Sequence, residues 1–152
     1  MQDDGSAQDG SVTTATRAAV EHARRTLAVD PGESVMAWRV ESTDPGLHAY
    51  VLVIFGGPEG ASTLAAVDIA SNDVLESARL SPPAPHTLIG ARDAIARAGT
   101  GDAAKARLVW DSSSATRSRF YPLWELQGAG RTVWVDAVTG RVWDKLGKER
   151  GG

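Results

Sequence analysis

The hydrophobic and polar positions of the chain follow two periods, one typical of helices and one typical of strands. Apolar positions recur at helical spacing over residues 13–28 and again over residues 88–98. Asp30-Pro31-Gly32 ends the first predicted helix, because proline cannot continue its hydrogen bonds. Thr87 is expected to cap the second helix, and Gly99 is expected to end it in a left-handed conformation.

Apolar runs between turn residues predict four strands after each helix. The strands are predicted at residues 35–41, 47–55, 64–70 and 74–80, and at residues 105–111, 120–127, 131–137 and 141–146. Residues 50–55 are apolar throughout, which predicts a strand covered on both faces. The first helix is expected on one face, and the second half of the chain or a partner chain on the other. Pro122 marks a bulge, a strand start or an edge.

Residues 65–75 and 133–143 repeat one pattern, 68 residues apart. In each copy a valine and an aspartate precede a tight turn, and Asn72 of the first copy aligns with Gly140 of the second. Asparagine and glycine accept the left-handed backbone that such turns require. We expect Asp68 and Asp136 to accept amide hydrogen bonds in the turns rather than to bind a metal or catalyse a reaction.

The repeat predicts an α+β fold of two repeated units, each formed by one helix followed by an antiparallel β-meander. The first unit is predicted at residues 13–80 and the second at residues 87–147, joined by a proline-rich linker at 81–86. Residues 1–12 are expected to be a disordered leader, and residues 148–152 a flexible tail.

Composition limits the classes of function. The chain has 152 residues, a net charge of −3 and no cysteine, which excludes disulfides and thiolate chemistry. Basic residues are not interleaved with aromatic ones in a run, so we expect no nucleic-acid partner. The apolar stretches are too short for a transmembrane segment. Arginine outnumbers lysine 13 to 3, which favours a bacterial source.

The location in the cell stays open from the sequence. The first residues lack the basic and hydrophobic segments of a signal peptide. The protein is expected to be extracytoplasmic if a signal segment has been removed, and cytoplasmic otherwise.

The segment Arg131-Thr-Val-Trp-Val-Asp-Ala-Val-Thr-Gly-Arg-Val-Trp resembles the closing hairpin of a PepSY domain. The resemblance covers residues 87–146 well and residues 14–80 weakly, since Ser71-Asn72-Asp73 replaces the Thr-Gly-Arg turn in the first copy. It implies a PepSY-like or cystatin-like fold and a module that accompanies or inhibits a peptidase. It implies no catalytic residues.

Aromatic residues of the second half carry the predicted binding site. The candidate residues are Trp110, Tyr121, Trp124, Trp134 and Trp143. If Val133 and Val135 face the helix, Trp134 faces away from it. The Trp134 indole is then either buried between the units or in a homodimer, or displayed to a peptide, a protein or an apolar ligand.

The sequence favours a non-catalytic binding module over an enzyme. It has no recognisable catalytic motif, no metal-ligand spacing and no sign of a cofactor site. Three alternatives stay open. The first is a small-molecule carrier with a cleft between the repeats, the second is a small enzyme that uses His48 or His86, and the third is a homo-oligomeric structural protein.

Overall fold

The computed structural model describes residues 9–44, 46–101, 104–110, 118–128 and 130–143. These residues form two helices and eight strands. In chain order the elements are α1 (Thr14–Thr26), β1 (Ser34–Ser42), β2 (Tyr50–Gly57), β3 (Gly60–Asp68), β4 (Val74–Ala84), α2 (Ala91–Ala98), β5 (Lys105–Trp110), β6 (Leu123–Gly128), β7 (Arg131–Asp136) and β8 (Val142–Trp143).

The strands form one mixed sheet in the order β4-β3-β2-β1-β5-β6-β7-β8. The sheet is rich in antiparallel pairs, but β1 and β5 run parallel, with Glu41 opposite Val109 and Ser42 opposite Trp110. The predicted fold class, two repeated units each with one helix and its own antiparallel meander, is therefore wrong. Alternation along a strand shows which side chains share a face of the sheet. It does not show which strands are neighbours in the sheet.

Two compact units divide the chain. Unit 1 contains Met1–Arg39 and His48–Thr87, and unit 2 contains Val40–Leu47 and Leu88–Gly152. The end of β1 thus belongs to unit 2, where it pairs with β5.

In unit 1, α1 packs its apolar side against β2 and β3. Thr13 caps the helix: its side chain accepts the N–H of Thr16, and the Thr16 hydroxyl accepts the N–H of Thr13. The helix ends at Thr26 with Leu27 as its C-cap, and Ala28 follows in a left-handed conformation with φ 53°. The core formed with α1 consists of Ala19, Val20, Ala23, Val29, Ala37, Val51, Val53, Phe55, Ala65 and Val67.

The central strand β2 is covered on both of its faces. Val51, Val53 and Phe55 belong to the core with α1. Tyr50 and Leu52 alternate with them and are 1% and 0% exposed. The prediction from the continuous apolar run is confirmed.

Two segments of unit 1 differ from the local prediction. Strand β4 runs through the prolines at positions 82 and 83 to Ala84, which pairs with Ala61 of β3. Prolines are tolerated there because β4 is an edge strand. Within the predicted leader of residues 1–12, the carbonyl of Gly10 accepts the N–H of Ala37 at 2.8 Å, and Val12 packs against the core, so these two residues belong to the fold.

In unit 2, α2 packs against β5, β6 and β7. The helix begins at Ala91, after Gly90, so the predicted start near Leu88 is wrong. The backbone of Ile89 is engaged elsewhere: its N–H donates to Ala137 and its carbonyl accepts the indole N–H of Trp124. Gly99 ends the helix with φ 71°, as predicted.

The repeated hairpins contain turns with the same hydrogen bonds. One oxygen of Asp68 accepts the N–H groups of Ala70 and Ser71, at 2.8 and 3.1 Å. One oxygen of Asp136 accepts those of Val138 and Thr139, at 2.8 and 2.9 Å. The left-handed residues at the two turns, Asn72 and Gly140, have φ 65° and 81°. The predicted turn role of both aspartates is confirmed.

The first of these turns makes stability depend on pH. Burial raises the pKa of Asp68, but the N–H groups of Ser71 and Ala70 and the His48 side chain outweigh it, so the pKa is lowered. A lowered pKa in the folded state gives stability that is present above the unfolded value of about 4 and is lost as the pH falls through the folded value. The Asp68→Asn variant removes this contribution.

We expect the free energy of unfolding of wild type to exceed that of Asp68→Asn at pH 7, and the difference to shrink between pH 5 and pH 2. Urea unfolding followed by circular dichroism measures both proteins at each pH. A difference that stays constant over this pH range would contradict the lowered pKa of Asp68.

Candidate functional site

Four side chains lie opposite one another across four neighbouring strands of unit 2. Arg107 of β5 is opposite Glu125 of β6, Glu125 is opposite Trp134 of β7, and Trp134 is opposite Trp143 of β8. Directly opposite residues project to the same face of a sheet and contact one another. We call these four residues the Trp134 row.

The Trp134 row lies on the face away from α2. Leu108, Trp124 and Val135 lie opposite one another on the same three strands, each next in sequence to a member of the row. They are 4%, 2% and 0% exposed. Trp124 is fixed toward the helix side by the 2.9 Å hydrogen bond from its indole to the carbonyl of Ile89, just before α2. Side chains alternate along a strand, so Trp134 projects to the opposite face, as the sequence predicted.

Glu125 holds the centre of the row. Its side chain is 10% exposed, and one carboxylate oxygen accepts Nε of Arg107 at 2.8 Å. The other oxygen accepts the indole N–H of Trp134 at 3.3 Å. A carboxylate in so buried a place requires partners for its charge and lone pairs. The bond from Arg107 positions the Glu125 carboxylate, and the carboxylate in turn orients the Trp134 ring through the indole N–H.

An arginine covers the last member of the row. The guanidinium carbon of Arg141 lies 4.2 Å from the centre of the Trp143 ring, which is a cation–π distance. Arg141 directly follows Gly140, and its carbonyl accepts the N–H of Asp136 at 2.8 Å. The turn built by Asp136 thus leads into β8, where Trp143 lies opposite Trp134 and Arg141 lies over Trp143.

The cationic side chains of the face around the row are exposed. Lys105 is exposed and lies two residues before Arg107 on β5, hence on the same face. Arg107 is 55% exposed although it pairs with Glu125. Arg141 is exposed as well. The same face also holds the carboxylates of Glu125 and Asp136, which are buried, and that of Glu41, which is partly exposed. The most exposed charges near the two indoles are therefore those of the cations.

The structure separates the five predicted binding residues into two groups. Trp134 and Trp143 are partly exposed and adjacent, and Tyr121 is 36% exposed in the turn before β6. Trp110 and Trp124 are 4% and 2% exposed, so they present little surface to a partner. Arg119 lies over the Trp110 ring at 4.7 Å.

Sequence reasoning gave no role to the charged members of this site. Arg107 and Arg141 are surface arginines in an arginine-rich chain, and a sequence does not show which of them stack on an aromatic ring. The role of Glu125 could have been suspected from the sequence, because it is the one charged residue in the apolar segment Leu123-Trp124-Glu125-Leu126. A buried carboxylate in such a strand requires a cationic partner on a neighbouring strand.

The two histidines of the enzyme alternative belong to unit 1. His48 is 63% exposed, with Nδ1 3.3 Å from an Asp68 carboxylate oxygen. His86 is 5% exposed. Asp68 serves the turn through its other oxygen, so His48 adds a surface contact to a structural carboxylate.

Comparison of the chain with protein families, with curated proteins and with solved structures found no match. Within the described ranges, no three His, Asp or Glu side chains are grouped so that they could hold a metal ion. No helix in the same part of the chain has the length and apolar character needed to cross a membrane.

Proposed function

We propose that this protein is a non-catalytic binding module that captures a protein or peptide segment on the Trp134 row. The observation that carries the proposal is the cross-strand pair of Trp134 and Trp143, which is partly exposed and held in place by Glu125 and Arg141. Aromatic residues with fixed orientation lose little conformational entropy on binding and dominate hot spots at interfaces.

The charges favour an acidic segment with an apolar or aromatic residue. Lys105, Arg107 and Arg141 attract carboxylates, and the two indoles give an apolar contact surface between them. A phosphate backbone fits less well, because the Glu125 carboxylate lies in the middle of the row. A short acidic peptide places its side chains at either end of the row and avoids this charge.

Peptidase regulation is a narrower form of the proposal. Its support is the resemblance of residues 131–143 to the closing hairpin of PepSY domains. In that form, the captured segment is an acidic surface segment of a peptidase.

The test begins with selection of peptides from a random library on the immobilised protein. We expect enrichment of acidic peptides with an aromatic or apolar residue. Trp134→Ala and Trp143→Ala should each weaken the binding of a selected peptide by roughly tenfold or more, because each removes a hot-spot contact. Isothermal titration calorimetry measures the affinity, and circular dichroism checks that each variant is folded.

Leu75→Ala is the matched control. Leu75 is a large hydrophobic residue that is 41% exposed on β4 of unit 1, away from the row in the chain. Its replacement should leave the peptide affinity unchanged within about twofold. The proposal fails if the tryptophan variants bind as wild type does, if the library yields no binder, or if a single-stranded oligonucleotide displaces the peptide.

A further inference from the structure

A surface cleft in unit 1 has the charges of a site for a small zwitterion. Its volume is about 380 Å³, within the range of small-molecule sites. It lies between the segment that follows α1 and the strands β3 and β4. The site is separate from the Trp134 row, which belongs to unit 2.

The two walls of the cleft carry opposite charges. Arg79 of β4 supplies a guanidinium, whereas Asp30 and Glu33 supply carboxylates from the segment after α1. A ligand with only a carboxylate is repelled by the two acidic residues, and a ligand with only an ammonium group is repelled by Arg79. A ligand that carries both groups satisfies both walls.

Hydrogen bonds hold the charged groups in position before a ligand arrives. Arg79 donates to the carbonyl of Leu27 at the end of α1, and Glu33 accepts the hydroxyl of Ser62. The backbone N–H of Gly32 donates to Asp30 at 2.8 Å. Groups fixed in this way lose little conformational entropy on binding.

The rest of the lining is apolar or hydroxylated. Ala28, Val29 and Leu80 give an apolar part to the cleft. Thr63 and Ser81 add hydroxyl groups that can donate to or accept from a bound polar group. An apolar side chain attached to a zwitterionic head therefore matches the lining.

We propose that this cleft binds a free α-amino acid with an apolar side chain, its carboxylate at Arg79 and its ammonium group at Glu33 and Asp30. This proposal is independent of the peptide-binding function, since it concerns different residues in a different unit.

The experiment titrates wild-type protein with L-leucine, isocaproate and isoamylamine, three probes with the same apolar chain. Isocaproate lacks the ammonium group and isoamylamine lacks the carboxylate. We expect L-leucine to shift the backbone amide signals of Val29, Glu33 and Thr63 in NMR spectra, and the other two probes to bind at least roughly tenfold more weakly.

Charge variants test the roles of the two walls. Arg79→Gln and Glu33→Gln should each weaken L-leucine binding by roughly tenfold or more, since each removes one charged contact. Arg92→Gln removes an exposed arginine of unit 2 and should have no effect. The wild-type titration keeps the proposal testable if a variant fails to fold. The proposal is overturned if L-leucine shifts none of the cleft signals, or if isocaproate or isoamylamine binds as tightly as L-leucine.

Discussion

Replacement of Trp124 with alanine is expected to lower the free energy of unfolding by about 3–5 kcal/mol, the largest loss among the substitutions considered. The side chain is 2% exposed, so its removal leaves a cavity under α2. It also removes the 2.9 Å hydrogen bond to the carbonyl of Ile89, which holds the chain just before the helix. Chemical denaturation followed by circular dichroism measures the loss.

A second variant separates packing from hydrogen bonding at this position. Trp124→Phe keeps most of the apolar contacts and removes the indole N–H, so it should lose about 1–3 kcal/mol. Leu75→Ala, at a side chain that is 41% exposed, should change stability by less than about 0.5 kcal/mol. Equal stability of Trp124→Ala and Leu75→Ala would contradict the position of Trp124 in the core.

Gly140→Val is expected to lower the free energy of unfolding by about 2 kcal/mol or more. Gly140 has φ 81°, a conformation that β-branched residues rarely adopt. A Cβ atom at this position would also lie 2.7 Å from a terminal nitrogen of Arg97 in α2, but this flexible side chain can shift, so the backbone strain accounts for most of the loss. Thermal and urea denaturation measure the change.

Gly130→Val is the matched control for this turn. Gly130 has a similar φ of 76°, but a Cβ atom added there meets no other atom within 4 Å. The difference between the two variants therefore measures the contact with Arg97. Gly140→Asn should lower the free energy of unfolding less than Gly140→Val does, because asparagine accepts the left-handed region. In the first hairpin the equivalent residue is an asparagine, Asn72, in that conformation. If the Gly140→Val variant were as stable as wild type, the structural role of this turn would be refuted.

Local chemistry made the hairpin turns predictable from the sequence. An aspartate before the turn supplies an acceptor for two amide groups, and a glycine or asparagine accepts the left-handed backbone. Both requirements are met within a few residues of Asp68 and of Asp136. The same local argument correctly placed Gly99 at the end of α2.

Contacts between distant residues account for the errors. The pairing of Glu41 with Val109 joins strands that are far apart in the sequence, and no local pattern specifies it. The start of α2 was misplaced for the same reason, because Ala137 and Trp124 of unit 2 bind the backbone of Ile89. A helix pattern does not reveal backbone groups that are already bonded elsewhere.

The candidate site was predictable only in part. Alternation along β7 placed Trp134 opposite to Val133 and Val135, which the structure confirms. To predict the hydrogen bond between Trp134 and Glu125, one needs the register between β6 and β7, which the sequence does not specify. The cleft of unit 1 combines Glu33 with Arg79, which lie on segments that only the folded chain brings together.

The most direct test of the peptide-binding account uses the five indole N–H signals of the protein in NMR spectra. Addition of the selected acidic peptide should shift the signals of Trp134 and Trp143, which are partly exposed in the row. The signals of Trp38 and Trp124, at 1% and 2% exposure, should stay in place. Shifts at Trp38 with unchanged signals at Trp134 and Trp143 would contradict the account.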